Sequence, residues 1–473
     1  MDESRIAYHG TLQGLLEKVE GGEMVPKLQA SHAPPCKFWT AFQVLNGIRH
    51  MVPVIHGPKG CTYSVASSYK MTSCDYRGVP LEPTTCTAQN EADVVYGGEG
   101  KLLEAVREAE RRYHPELIVI LSCCCSGITG DDVEMVAQVA AQEMADGGTS
   151  GARVLAIRSE GFGGDFRSGY EDAFKVLMDL MEPRGEVMKE TINVIGARQG
   201  PTYTEWDQDL NEIERLVTGI GVKINGILCG GCTVEEIRRA PSAELNASWC
   251  YDWGQKLGDL MEERFGIPYA RTGQPYGLKA TEEWIMGVAV PLGLEDRARE
   301  LIRRETAAVS QEVNTLRRCF EGKTALIEIS EYPGPIRALS LARMAEEFGA
   351  HPIVINLHPY TVKERKPSLK FLLERGENPE VILTKGIFAL GSFNASADTQ
   401  GDVEMIAAEY ANAIYIGSPL RQPGIPQVNM TTITGYPQYG YQGIRNMARL
   451  MESGLEHASR PRSTLFRKAL YGE

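Results

Sequence analysis

The sequence predicts an α/β protein of three domains built on parallel sheets, and three observations carry that reading. Short apolar runs of strand length alternate with stretches of helical period, as expected of parallel strands joined by crossover helices. The alternation restarts twice, so three units of the same kind follow one another. The chain has 473 residues, which at about 100–200 residues per domain leaves room for two to four domains.

The first unit follows a loop-rich opening that includes His32-Ala-Pro-Pro35. Val94–Tyr96 is a short apolar run ending at Gly97-Gly98. Leu102, Leu103, Val106, Ala109 and Tyr113 then share one face of a predicted helix that Pro115 ends. Leu117–Leu121 is continuously apolar, the pattern of a strand buried on both faces. Val154–Ile157 is the next strand. The second unit opens with strand Ile192–Ile195, then a helix around Leu210–Val217, strand Ile224–Leu228 and helix Val234–Arg239. A later helix over Trp253–Phe265 buries Leu257, Leu260 and Met261. The charged helical stretch Glu295–Phe320 links to the third unit. That unit reads strand Ala325–Ile329, helix Ile336–Phe348 and strand Ile353–Ile355, then strands at Val381–Leu383 and Ile414–Ile416. No period is short enough for a solenoid.

Composition removes several function classes. Forty-three per cent hydrophobic and 23% charged residues are ordinary values for a globular chain, not for a disordered or collagen-like one. Net charge is −13 and the sequence pI is near 5.3, so a phosphate backbone is repelled and nucleic acid is not an expected partner. The longest uncharged apolar stretch, Trp284–Leu294, is broken by glycines and a proline and falls short of the ~20 residues of a membrane span. Met1-Asp-Glu-Ser-Arg5 has neither a basic nor an apolar leader region, so the expected compartment is the reducing cytoplasm. Eleven cysteines there point to metal ligands, reactive thiols or small core residues more than to disulfides.

In parallel sheets ligands sit beyond the carboxyl ends of the strands, and the cysteines fall there. Cys61 ends the glycine-rich turn His56-Gly-Pro-Lys-Gly-Cys61, where missing side chains permit close approach to a bulky ligand. The alternative is a tight turn with an incidental thiol. Cys123, Cys124 and Cys125 end a predicted strand. On extended backbone neighbours alternate, so Cys124 faces away from the other two. Gly130-Asp-Asp132 then supplies a turn and a cap for a helix from Val133. Cys229-Gly-Gly-Cys232 is a lone C-x-x-C, with no second pair for zinc and no small redox domain around it, so a pocket wall or a chain turn is the commoner reading. Cys250 precedes a predicted helix, where the dipole favours a thiolate; a half-buried core thiol is the alternative. Gly322-Lys-Thr324 mimics the end of a P-loop but precedes a strand, and Arg317 stands at the first glycine position. No ferredoxin cysteine run and no H-x-x-x-H pair occurs.

Four segments together resemble nitrogenase component 1, specifically its α-subunit and paralogues, from about Cys36 to Arg449. They are Cys36 with His56–Cys61; Glu91-Ala-Asp-Val-Val-Tyr-Gly-Gly98; Cys124 with Gly130-Asp-Asp132 and Ser159-Glu-Gly-Phe162; and Leu245-Asn-Ala-Ser-Trp-Cys250 with Met261–Pro268. The resemblance implies three Rossmann-like domains around a metallocluster. It places an N-terminal loop and helical extension at 1–45, a P-cluster-side domain at 46–188, a domain with the cofactor cysteine at 189–322 and a third at 323–473. It implies that Cys36, Cys61 and Cys124 hold one half of an interfacial 8Fe-7S P-cluster, a homologous β-like subunit supplying the other half of an α2β2 heterotetramer. Cys250 matches the cysteine on the terminal iron of the active-site cofactor.

The departures from the family pattern matter equally. The cofactor histidine lies seven residues past the glycine of a Gly-Ile-Pro, and here Gly424-Ile-Pro426 leads to Thr431, with the thioether of Met430 beside it and Tyr439 further on. The homocitrate-contacting lysine falls at Tyr415, the sulfide-bonding histidine at Glu171, the homocitrate-side glutamine at Arg167 and the arginine after the second P-cluster cysteine at Tyr69. Val44 is a further cofactor-side position. The implied cofactor is a large carbide-type cluster, 8Fe-9S-C in kind, without molybdenum or homocitrate. The best-fitting activity is that of a methylthio-alkane reductase, a cytoplasmic enzyme cleaving carbon–sulfur bonds of small organic sulfur compounds with electrons from an ATP-hydrolysing homodimeric iron protein. The alternatives are a cofactor-assembly scaffold and a tetrapyrrole reductase; the latter lacks the equivalent of Cys250.

Overall fold

The computed structural model describes residues 3–24, 36–69, 79–81, 83–146, 152–197, 206–329, 334–357, 362–363, 365–385, 400–417, 425–429 and 437–459. In chain order these give β1 (Ile6–Thr11), α1 (Leu12–Glu20), α2 (Lys37–Leu45), β2 (Ile48–Arg49), β3 (Met51–His56), α3 (Lys59–Tyr69), β4 (Thr85–Cys86), α4 (Glu91–Tyr96), α5 (Glu99–Tyr113), β5 (Leu117–Ser122), α6 (Cys124–Thr129), α7 (Val133–Asp146), β6 (Arg153–Ile157), α8 (Phe166–Leu180) and β7 (Met188–Ile195). There follow α9 (Trp206–Gly219), β8 (Lys223–Ile227), β9 (Cys232–Thr233), α10 (Val234–Arg238), β10 (Ala243–Ser248), α11 (Tyr251–Phe265), β11 (Tyr269–Ala270), α12 (Gly277–Ala289), α13 (Glu295–Ala308) and α14 (Ser310–Phe320). The last elements are β12 (Thr324–Glu328), α15 (Gly334–Glu347), β13 (His351–Ile355), α16 (Lys366–Glu374), β14 (Glu380–Thr384), α17 (Gln400–Ala408), β15 (Ala413–Gly417), β16 (Gln427–Asn429) and α18 (Gly440–Ser459).

The chain divides into two compact units. One comprises residues 32–272 and 285–298; the other comprises 1–31, 273–284 and 299–473. The first unit holds two four-stranded parallel sheets, β4-β3-β5-β6 and β11-β10-β7-β8, and the short parallel pair β2-β9. Every residue of β3 and β5 is buried, which is why Leu117–Leu121 reads as a continuous apolar run rather than an alternating one. The first sheet packs Val52, Val54, Ile118 and Ile120 against Leu102, Val106 and Ala109 of α5 and against Val133, Val136 and Ala140 of α7.

The second unit is built on one six-stranded sheet, β1-β14-β13-β12-β15-β16, parallel except for β1. Leu326, Ile353, Ile355, Ile382 and Tyr415 form its core with Val403 and Ile406 of α17.

Three local expectations are corrected. Residues 6–20 are not loop but a strand and a helix: β1 pairs antiparallel with β14, and the Thr11 hydroxyl accepts from Gly14 N at 3.2 Å to cap α1. Leu12, Leu15, Leu16 and Val19 give that helix its buried face. Val94–Tyr96 is helical, started by a capping box in which Asn90 accepts from Ala92 and Asp93 and Asp93 accepts from Asn90 N. The cysteine triplet does not continue the strand: Cys123 stands at the N-cap and Cys124 and Cys125 form the first turn of α6. Their directions are set by helical geometry, not by alternation.

Candidate metal centre

Two strand-to-helix turns at the carboxyl ends of β3 and β5 carry the central thiols. His56 is the last residue of β3, and Cys61 lies in the first turn of α3, where its N–H donates to Pro58 O at 3.2 Å. The neighbouring turn locks onto the same backbone: His56 O accepts from Cys123 N at 3.0 Å and from Ser126 Oγ at 2.8 Å. Gly57 is required here by space. A Cβ at that position would meet Cys123 Cβ at 2.5 Å and Sγ at 2.7 Å.

The His56 side chain clips the far end of the same short helix. Its Nε2 lies 2.8 Å from Asp131 Oδ2, and its Nδ1 lies 3.1 Å from Thr87 Oγ1. Gln89 Nε2 and Gly98 N also donate to the Asp131 carboxylate, at 2.9 and 3.1 Å. All are buried, and burial pulls the His56 pKa down against the opposing pull of Asp131. Gly130, in the left-handed region at φ 81°, makes the turn that brings Asp131 back.

Cys36 and Cys124 meet at Gly161. The turn before it is tied to β5, with Ser159 Oγ donating to Ser122 O at 2.7 Å and Ser122 Oγ to Glu160 Oε1 at 2.7 Å. Gly161 N then donates to Cys124 Sγ at 3.1 Å. A Cβ on Gly161 would stand 3.3 Å from Cys124 Sγ, 3.5 Å from Cys36 Cβ and 4.0 Å from Cys36 Sγ. Burial pushes the Cys36 thiol pKa up, and the nearby Cys124 and Cys61 sulfurs push the same way. Cys61 is held down, to about 7, because the buried Cys123 thiol donates to it, and Cys123 is raised correspondingly. The structure thus brings Cys36, Cys61 and Cys124 together, each half-buried, while Cys123 is 1% exposed.

The chemistry of this donor set, three thiols, fits an iron–sulfur cluster. Among the described residues no three His, Cys, Asp or Glu side chains are arranged to hold one metal ion. The three thiols are soft ligands, and the bare edge of Gly161 leaves between two of them the space that a side chain would fill.

Cys250 lies apart from this group. It is 2% exposed, follows β10 and occupies the N-cap of α11, where its side chain makes no capping bond. Gly196 allows the close approach: its Cβ would stand 2.4 Å from Cys250 O and 2.7 Å from Gly254 N. Such a position suits a single thiolate ligand at a helix N-terminus. Arg167, on α8, has Nη1 4.0 Å from Oδ1 of the buried Asp252 in the first turn of α11. Glu171 is half-buried one turn further along α8, and Val44 is fully buried in α2. Tyr69 closes α3, and its side chain, like Met430 and Thr431, lies outside the described residues.

Two other readings resolve. Cys229 and Cys232 are buried, with Cys229 in the left-handed region at φ 70°. Burial pushes Cys229 up and Cys232 up to about 12, which disfavours the thiolate of each, in keeping with the reading of this pair as a buried chain turn. Tyr415 is fully buried and donates to Glu328 Oε2 at 2.6 Å, so its hydroxyl is directed into the sheet's own polar network. No role for His56 or Gly161 is read from the sequence, and Asp131 is read there only as part of the turn and cap before α7; each lies inside a segment named above, with His56 at the end of β3 and Asp131 just past the short helix α6.

Comparison with known proteins bears on the family and the fold. Residues 36–456 match the family described as nitrogenase component 1 type oxidoreductase. The nitrogenase iron-molybdenum cofactor biosynthesis protein NifE of Clostridium pasteurianum is 27% identical over 430 residues, 88% of this chain and 85% of that protein. The nitrogenase molybdenum-iron protein alpha chain of the same organism is 29% identical over 357 residues, 72% of this chain and 63% of that one. A solved structure titled "Nitrogenase Cp1 at pH 5" superposes with a TM-score of 0.69 at 21% identity, over 95% of this chain and 99% of that chain, a likeness that bears on the fold alone. The family match spans most of the chain and includes all four candidate cysteines, and the chain belongs to the nitrogenase component 1 type oxidoreductases.

Proposed function

We propose that this chain is the α-like subunit of a nitrogenase-like reductase that cleaves carbon–sulfur bonds of small methylthio-alkanes. The observation that carries the reading is the separation of thiols into two kinds. Cys36, Cys61 and Cys124 form a half-exposed group, whereas Cys250 stands alone and buried at a helix N-terminus. A half-exposed set of three is suited to a P-cluster completed by a β-like partner. The exposed apolar side chains of Tyr63, Val95, Tyr96, Ile128 and Phe162, on the segments that carry or adjoin those cysteines, support such a partner.

In this reading Cys36, Cys61 and Cys124 hold the P-cluster and Cys250 holds the carbide-type cofactor. When bound, the clusters supply stored low-potential electrons and soft iron that accepts a thioether sulfur. His56 and Asp131 hold the two cysteine turns in register. Arg167, near Asp252 in the first turn of α11, is the candidate polar group on the Cys250 side, and Glu171, one turn further along α8, is the candidate carboxyl group for proton delivery. Tyr415, bonded to Glu328 where the family places a homocitrate-contacting lysine, supports a cofactor without homocitrate. An ATP-hydrolysing iron protein supplies electrons. Two electrons and two protons take dimethyl sulfide to methanethiol and methane, and 2-(methylthio)ethanol to methanethiol, ethylene and water.

The second reading, a cofactor-assembly scaffold, is favoured by the long match to NifE. One experiment separates them: anaerobic purification with the β-like partner, then turnover with the cognate iron protein, ATP, reductant and either sulfide. ATP-dependent methane or ethylene is the expected result. Loaded cluster without hydrocarbon, transferable to an apo-nitrogenase, would establish the scaffold instead.

A further inference from the structure

The helix that starts at Cys36 and the helix that starts at Cys250 are joined through a third. Cys36 is the N-cap of α2 and Cys250 the N-cap of α11. Helix α8 is clamped to both. Toward α2, Asp172 Oδ2 lies 2.8 Å from Lys37 Nζ, and Gly169 lies so close that a Cβ there would meet Lys37 O and Thr40 Oγ1 at 2.2 Å each. Toward α11, Arg167 approaches Asp252, and Arg264 Nη1 donates to Met178 O at 3.1 Å.

One residue reaches both neighbours. Tyr170, on α8, donates its hydroxyl to Gln43 Oε1 of α2 at 3.0 Å. Its ring stacks on Trp253 of α11, with centroids 4.2 Å apart and planes 27° from parallel. Gln43 is 0%, Tyr170 3% and Trp253 5% exposed, so no water competes for the hydrogen bond or the stack. Trp253 lies one helical turn from Cys250, so the ring that Tyr170 grips belongs to the turn that starts at the thiol.

We propose that Tyr170 is a positioning residue that fixes the Cys250 end of α11 against α2, the helix that Cys36 caps, and so sets the separation of the two metal-ligand positions. The bridge itself is independent of any cluster; only its consequence for electron transfer rests on the function proposed above. Electron tunnelling decays exponentially with separation, so a strut that prevents drift of about 1 Å protects the rate, in the way that small misplacements far from a reacting centre cost large factors.

The test uses Tyr170→Leu, which removes ring and hydroxyl, and Tyr170→Phe, which keeps the stack and loses the bond to Gln43. In the full chain purified without metal, iodoacetamide labelling of Cys250 is compared by mass spectrometry with Cys319, also 2% exposed. Tyr170→Leu is expected to raise Cys250 labelling roughly tenfold, Tyr170→Phe to raise it less, and both to leave Cys319 unchanged. Unchanged protection of Cys250, or Cys319 rising in step as general loosening demands, overturns the proposal. Should Tyr170→Leu fail to fold, Tyr170→Phe gives the same comparison. In the loaded complex the second readout is electron transfer between clusters, followed by rapid-freeze electron paramagnetic resonance, slowed roughly tenfold or more with both cluster signals intact. An unslowed rate overturns the strut's role in transfer. A parent complex lacking either cluster counts against the proposed function and leaves the labelling result to decide the strut.

Discussion

Cys61 and Cys123 share one hydrogen bond and emerge with opposite characters. The donor, Cys123, is sealed against Gly57 and kept neutral; the acceptor, Cys61, becomes a thiolate near neutral pH. Cys36, which burial raises, stays protonated to higher pH. In metal-free protein, alkylation of Cys61 should therefore rise tenfold per pH unit up to about 7 and then level off, while that of Cys36 keeps rising into the alkaline range. A peptide-resolved pH series in which Cys36 titrates first would contradict this. The same residues separate ligand from neighbour: Cys124→Ala should lose the interfacial cluster iron, and Cys123→Ala and Cys125→Ala should largely keep it. Iron analysis of the three variants decides, and iron retained by Cys124→Ala sinks the ligand assignment. The placement of Cys61 and of the Cys123–Cys125 triplet in turns after β3 and β5 was readable beforehand, because buried parallel strands show as continuous apolar runs and the cysteines follow them in sequence. One support for singling out Cys124, the alternation of an extended triplet, fails because the chain turns helical at Cys124; the other, its six-residue distance to Gly130 in the family resemblance, does not depend on that alternation.

Helix α8 shows what element-scale packing adds. Its sequence, Phe166–Leu180, mixes charged and apolar residues and discloses neither neighbour. Its place is fixed by Gly169, where helix α2 comes within contact of bare backbone. Gly169→Ala should cost about 1–3 kcal/mol, the usual penalty of overpacking. The measurement is urea unfolding of the metal-free chain, and a change below about 0.5 kcal/mol, ordinary for a surface site, would mean the helices part easily. Strands such as Leu117–Ser122 were legible because burial on both faces leaves an unbroken apolar run. The edge strand Ile6–Thr11 was not, because its sheet partner among the described residues, β14, lies at Glu380–Thr384. A strand half-exposed at an edge carries no continuous apolar signal, and nothing local specifies so distant a partner.

Across the whole molecule the net charge of −13 makes exposed apolar side chains near the thiols conspicuous. Tyr96 is 87% and Ile128 76% exposed, on α4 and on the helix that begins with Cys124. A monomer seldom leaves such side chains grouped in water unless another surface covers them. If the β-like partner covers them, Tyr96→Asp with Ile128→Asp should place two unpaired charges in a desolvated contact and abolish co-purification. Neither residue is buried, so the fold of the chain itself should change by no more than about 0.5 kcal/mol. Val290, 53% exposed beside β10, is the control, and Val290→Asp should keep the partner. Light scattering after size-exclusion chromatography of the co-expressed pair reads both outcomes. An intact heterotetramer with the double variant would move the partner surface elsewhere. Loss of the partner in the Val290→Asp control as well would trace the effect to added charge and not to this face.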